Sequence, residues 1–150
     1  MPQIPLNKKQ IKEILAIIKS QWDADVDLDY AFFLSNKEKL YIVNKEMANY
    51  DLSSLRINSV GIYFGEYSNS ELRLSIEGSQ IVGGNAKKNV LELSDSDARK
   101  WLKGEELQID ADSKGFALIK NKNDFLGCGK LVGTKLINYV PKNRRIKSSD

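Results

Sequence analysis

Two glycines, Gly127 and Gly129, bracket the single cysteine of the chain inside a segment that otherwise has the apolar character of a strand, DFLGCGKLVG (Asp124–Gly133). Glycine weakens a strand interior, so its presence there marks a bulge, a sharp bend, or a place where another backbone comes close. A small barrel uses all three. The same run fails as a phosphate loop: counting back from Gly129-Lys130, the first glycine would fall at Asp124, and Leu131 stands where Ser or Thr is required. It also fails as a dinucleotide fingerprint, which would need glycine at Val132 and a helix after it, whereas Leu136-Ile137 has strand character.

The flanking segments fit the barrel. NVLEL predicts a strand. Ser94 then caps a helix with Asp95 and Asp97 in its first turn, where the helix dipole favours acids. Ala98, Trp101 and Leu102 form its apolar face, and Gly104 is placed to end it in the left-handed conformation. LQI, GFALIK, FLGCGKL and KLINYV follow as short strands, with turns at Asp112-Ser113-Lys114, Asn121-Lys122-Asn123 and Gly133. Several short strands with one helix in about sixty residues predict a small barrel.

The first half has a different plan. Asn7 and Gln10 make a capping box, Leu6 can staple onto Ile11, and Ile11, Ile14, Leu15 and Ile18 fall on one helical face that Trp22 extends. The acidic run Asp23, Asp25, Asp27 copies the start of a calcium loop, but Leu28 occupies the glycine position and Leu34 the bidentate glutamate position. It is a loop running into a strand. YAFFL and LYIVN predict one hairpin across Ser35–Glu38, and SVGIYFGEY and LRLSI a second across Ser68-Asn69-Ser70. EGSQIVGGNAKK predicts a short helix or turn ending at Gly83-Gly84, where composition and charge both change. The division expected is therefore residues 1–84 and 85–150.

Composition removes most catalytic chemistry. The chain has no histidine and one cysteine, so Ser-His-Asp and Cys-His catalysis, histidine metal sites and cysteine zinc sites are excluded. Cys128 has no histidine to activate it and is expected to be a small buried side chain. No paired-carboxylate or lysine motif stands out, and no cofactor or metal is expected. The opening MPQIPLNKKQ lacks the apolar core of a signal peptide, and no run is long enough to cross a membrane. With a single cysteine unable to form an internal disulfide, a soluble, cytoplasmic protein is expected.

The net charge of +3 is unevenly spread. Residues 1–84 carry 9 Lys/Arg against 11 Asp/Glu, and residues 85–150 carry 14 against 9. A basic second half fits an acidic partner, of which nucleic acid is the commonest, although lysine-rich surfaces also serve solubility alone. The candidate contacts are the run Lys142, Arg144, Arg145 and Lys147, then Arg99, Lys100 and Lys103 on the second-half helix, then Lys130 and Lys135. The alternative for the run is a solvated tail.

The strand–helix order, WLKGEEL (Trp101–Leu107), the strand opening at Gly115, and LGCGKL (Leu126–Leu131) together resemble a PUA domain, a small pseudo-barrel that binds structured RNA. FFLSNKEKLYIVNKEM (Phe32–Met47), SVGIYFGEY and LRLSIEGSQIVG (ending at Gly83) resemble the pre-PUA domain of two-domain archaeal and eukaryotic PUA proteins of ribosome biogenesis. NYVPKNRRI (Asn138–Ile146) also resembles the C-terminal RNA-binding extension of archaeal Sun-family RNA cytosine methyltransferases. The resemblance covers about residues 30 to 146. It implies an α+β protein, an N-terminal α/β pre-PUA domain with an antiparallel sheet followed by a PUA-like β pseudo-barrel with a basic C-terminal tail. It implies non-catalytic binding of structured rRNA or tRNA in ribosome biogenesis, rRNA processing or RNA modification. A protein-interaction module that docks an RNA methyltransferase or ribosome-assembly factor is the alternative. Methyltransferase activity does not carry over, because neither its cofactor-binding domain nor its cysteine pair is in this chain.

Overall fold

The computed structural model describes residues 4–35, 38–48, 61–110 and 114–147. Residues 36–37 of the first expected turn, Ser59-Val60 of the third expected strand and Asp112-Ser113 of a later expected turn lie outside these.

The chain opens with a two-residue strand β1 (Ile4–Pro5) and helix α1 (Lys8–Trp22). Asn7 accepts from the Gln10 backbone N–H, and the Gln10 side chain accepts from the Asn7 backbone N–H, so the expected capping box closes at both ends. An antiparallel meander follows: β2 (Tyr30–Leu34), β3 (Lys39–Asn44), then, after a short helix α2 (Lys45–Ala48), β4 (Ile62–Ser68) and β5 (Glu71–Leu74). The β4–β5 turn is made by Asn69 and Ser70, both at positive φ, the geometry a two-residue hairpin loop demands. β1 adds to the outer edge of β2, giving the sheet order β1-β2-β3-β4-β5.

Ser75 caps α3 (Ile76–Gly83) by accepting from Gly78 N–H. The second sheet has the order β6-β8-β9-β10-β7, from β6 (Val90–Glu92), β7 (Leu107–Gln108), β8 (Gly115–Asn121), β9 (Asp124–Val132) and β10 (Lys135–Ile137). Its β6–β8 pair is parallel and the others antiparallel. Helix α4 (Asp95–Leu102) provides the crossover, with Ser94 as the expected cap. The sheet curls into a half-barrel, and the whole is the α+β arrangement expected from the sequence.

The largest core cluster draws on both sides of residue 84. Ile14, Ile18 and Trp22 of α1 and Phe32, Leu40, Ile42, Phe64, Leu72 and Leu74 of the first sheet pack with Leu118 and Cys128 of the second. Trp22 Nε1–H donates to the Phe116 carbonyl at 3.2 Å, and the Trp22 carbonyl accepts from Lys87 and Lys88 N–H at 2.8 and 3.2 Å. A second cluster, on the other face of the half-barrel, gathers Trp101 and Ala98 of α4 against Ala117, Ile119, Leu131 and Leu136. The second sheet is thus buried on both faces, which accounts for the near-continuous apolar runs of β8 and β9.

That sandwich answers the question set by the glycines. Cys128 is 3% exposed and belongs to the first cluster, and burial pushes its thiol up to about 12. Its neighbours face the other way. A Cβ on Gly129 would lie 2.7 Å from Trp101 Cη2, so glycine here makes room for the indole. At Gly127 the β8–β9 register shifts, Ile119 pairing with Gly127 and Lys120 with Phe125, and φ is +137°. This is the bulge that bends the strand.

Candidate nucleic-acid interface

Phe116 and Lys130 are register partners on β8 and β9, and Lys130 Nζ lies 5.2 Å from the centre of the Phe116 ring. After β10 the chain swings back and sets the Tyr139 ring 6.4 Å from Phe116, tilted by 51°. From the first sheet, Arg73 of β5 places its guanidinium 4.3 Å over the Tyr139 ring. Glu66, opposite Arg73 on β4, holds that guanidinium through an ion pair. The result is a continuous row of cation, ring, ring and cation that crosses from one sheet to the other. All four side chains are partly exposed. Arg73, Phe116, Lys130 and Tyr139 border a hollow together with Glu66, Ser68, Asn69 and Glu71. Tyr63 lies near Arg73, with its ring 5.7 Å from Tyr41 and Lys39 Nζ at 5.9 Å. Burial raises the Tyr63 phenol above its ordinary value, so it stays a neutral donor. Cations set beside partly exposed rings bring phosphate-binding groups and aromatic surface together.

The basic run is an anchored segment. Asn138 Nδ2 donates to the Trp101 and Glu105 carbonyls, both at 2.8 Å, and its side-chain oxygen accepts from Val140 N–H at 2.7 Å. Pro141 leads into a 3-10 turn, Lys142–Arg144. Arg144 Nη1 pairs with Glu77 of α3 at 2.9 Å, Arg145 Nε donates to the Val140 carbonyl at 3.0 Å, and Ile146 N–H donates to the Leu102 carbonyl at 2.9 Å. The Arg145 side chain lies over Gly104, whose φ is +91° as the sequence predicted. Residues 141–144 are exposed, and the segment is tied back to the domain through Arg144, Arg145 and Ile146. Lys142 and Lys147 are exposed.

The nine basic residues picked from the sequence do not form one cluster. Lys130 belongs to the cation–ring row, and Arg144 sits beside α3. Arg99 borders a separate hollow with Ile146, Asp95 and Asn121. Lys100 is exposed and Lys103 half-buried on and after α4. Lys135 pairs with Glu106 at 2.9 Å on the other edge of the half-barrel. Sequence reasoning missed Arg73, Tyr139 and Phe116. Arg73 alternates with apolar residues in LRLSI and has the pattern of an ordinary outward strand residue. Phe116 and Tyr139 have the pattern of strand fillers. Their meeting depends on how the two sheets dock.

Among the described residues no group of three or more His, Cys, Asp or Glu is placed to hold a metal ion, and no helix is long and apolar enough to cross a membrane. The acidic loop after α1 is instead tied to Lys19, which pairs with Asp23 and Asp25 at 3.0 Å each.

Residues 88–146 match the family model described as the Methyltransferase RsmF PUA domain. Over these residues the chain is similar to the PUA domain of an rRNA methyltransferase. It is 25% identical over 141 residues to Ribosomal RNA small subunit methyltransferase F of Aliivibrio fischeri (strain MJ11), covering 94% of this chain and 29% of the relative. The protein of the same name from Vibrio cholerae (strain M66-2) is 28% identical over 92 residues, 61% of this chain and 20% of the relative. That of Shewanella oneidensis is 22% identical over 144 residues, 95% and 30%. The chain thus spans less than a third of the length of these relatives. They are bacterial, where the resemblance had pointed to archaeal and eukaryotic proteins. The alignments over 141 and 144 residues reach into residues 1–84 as well, so the likeness is not confined to residues 88–146.

Proposed function

We propose that this chain is a non-catalytic RNA-binding module that recognises structured ribosomal RNA in the course of RNA modification. The observation that carries this reading is the row Arg73–Tyr139–Phe116–Lys130, a stacking and phosphate-binding surface on a domain that matches the PUA domain of an rRNA methyltransferase. Residues 85–150 are assigned as the RNA-contacting half, with residues 1–84 lending Arg73 to the same face. Lys142 and Lys147 extend the basic surface, and Arg144 adds to it where phosphate competes with Glu77. Catalysis is assigned elsewhere, because the one thiol is buried and the chain has no histidine.

The test is equilibrium binding to fragments of small-subunit rRNA at several salt concentrations. Binding weakens steeply with salt, and Tyr139→Ala loses roughly 1–3 kcal/mol, the worth of one stacked base. A Tyr139→Ala protein that remains folded and binds every fragment as wild type does would overturn this placement. If the chain bound a methyltransferase domain and no RNA, the docking role would replace it.

A further inference from the structure

Trp101 is fully buried, yet its indole Nε1–H has no acceptor. Among the described residues it is the buried side-chain donor left in that state. Leaving such a donor unpaired costs about 1–3 kcal/mol, so its position calls for an explanation. Trp101 lines a cleft between the two sheets, holding about 460 Å³ of empty space with its open mouth included. Gly127 lines it too, and a Cβ placed there would lie 3.8 Å from Nε1, so the wall next to the indole N–H carries no side chain. The N-terminus of α3 forms one wall. Its first backbone N–H groups, at Ile76 and Glu77, have no intrahelical acceptor. Tyr63 and Tyr139 stand at the sides.

The charges decide between two ligand chemistries. Arg73 and Arg144 both reach the cleft, but Glu66 holds the first and Glu77 the second. Within the cleft a free phosphate would have to compete with both carboxylates for these paired arginines. A nucleobase fits better. It is planar and apolar on its faces, which suits Leu74, Ile76 and the tyrosines. Its edge carries a ring nitrogen or carbonyl that accepts from Trp101 Nε1–H, and an amino group could donate to Glu77.

We propose that this cleft receives the base of one unpaired nucleotide of the bound RNA. The proposal rests on the RNA-binding reading, because the cleft opens beside the Arg73–Tyr139 row, and adds where a splayed-out base would go. Trp101 is then a specificity residue, and the module distinguishes RNA with an unpaired nucleotide from fully paired RNA.

The test uses the whole chain with two hairpin RNAs, one fully paired and one with a single-nucleotide bulge, together with the four free ribonucleosides and inorganic phosphate. The chain has two tryptophans, so its ¹H–¹⁵N spectrum shows two indole peaks, which Trp22→Phe assigns. The expected result is binding of the bulged hairpin about tenfold tighter than the paired one, the scale of one stacked base. The Trp101 indole peak moves with the bulged hairpin and with at least one nucleoside, but not with phosphate. Trp101→Phe reduces the preference to within about twofold while keeping paired-hairpin binding. If both hairpins bind equally and no probe moves the Trp101 peak, the pocket is refuted while RNA binding stands. Movement with phosphate alone would also refute it. If neither hairpin binds and no nucleoside moves the peak, both readings fall.

Discussion

At Cys128 the chemistry is settled by surroundings. The thiol is 3% exposed, and burial holds it protonated up to about 12. At pH 8 an exposed cysteine is partly thiolate and reacts readily, whereas Cys128 is to react with a thiol reagent only as fast as the protein opens. Immediate labelling of the native protein would contradict this. Cys128→Ala is expected to cost about 1 kcal/mol and leave RNA affinity within about twofold. Gly129 is less forgiving. Its missing Cβ would meet both Trp101 and the Ile137 carbonyl, the latter at 2.9 Å, so Gly129→Ala is expected to cost about 1–3 kcal/mol in urea unfolding. Gly104→Val combines a β-branched side chain at φ +91° with loss of the space that Arg145 fills, and should cost more than about 1 kcal/mol. These residues were singled out by sequence alone, because glycine in a strand or after a helix has few physical reasons to be there. What the sequence did not contain was the object each glycine accommodates.

The C-terminal segment shows how an element changes meaning once its contacts are known. As a string of letters, PKNRRIK is a basic run whose alternative reading is a solvated tail. In the structure Arg144 and Arg145 take separate duties. The Arg144–Glu77 pair is 45% and 39% exposed in its side chains, and exposed pairs contribute little, about 0–1 kcal/mol. Arg144→Ala should therefore leave stability nearly unchanged while flattening the salt dependence of RNA binding by about one unit in a log–log plot. Superimposable wild-type and mutant plots would remove Arg144 from the interface. Arg145→Ala removes a donor to Val140 and the cover of Gly104, and is expected to lower the thermal midpoint measurably. A midpoint equal to wild type would show that the segment is held by Asn138 and Ile146 alone.

For the molecule as a whole, Trp22 is the joint. Its ring lies in the cluster shared by both sheets, its indole bonds to β8, and its carbonyl is held by Lys87 and Lys88. Trp22→Ala is expected to cost about 3–5 kcal/mol and to speed amide exchange in β2–β3 and β8–β9 alike, because both lean on the same side chain. Faster exchange confined to the first sheet would show that the second half stands by itself. The interface of cations and rings depends on the same joint, since Arg73 and Tyr139 come from opposite sides of residue 84.

Local chemistry determined much of this protein from its letters. Capping residues placed α1 and α4, alternation and turn residues placed most strands, and the absence of histidine removed whole classes of catalysis. These are short-range effects that act between residues a few positions apart. The parallel β6–β8 pair, the β1 edge and the cluster shared across residue 84 were decided by packing between distant segments, whose apolar faces could satisfy one another in more than one way. The site belongs to that second group. Arg73 and Tyr139 are 66 positions apart in the chain and meet only because Trp22 and α3 dock the first sheet against the second.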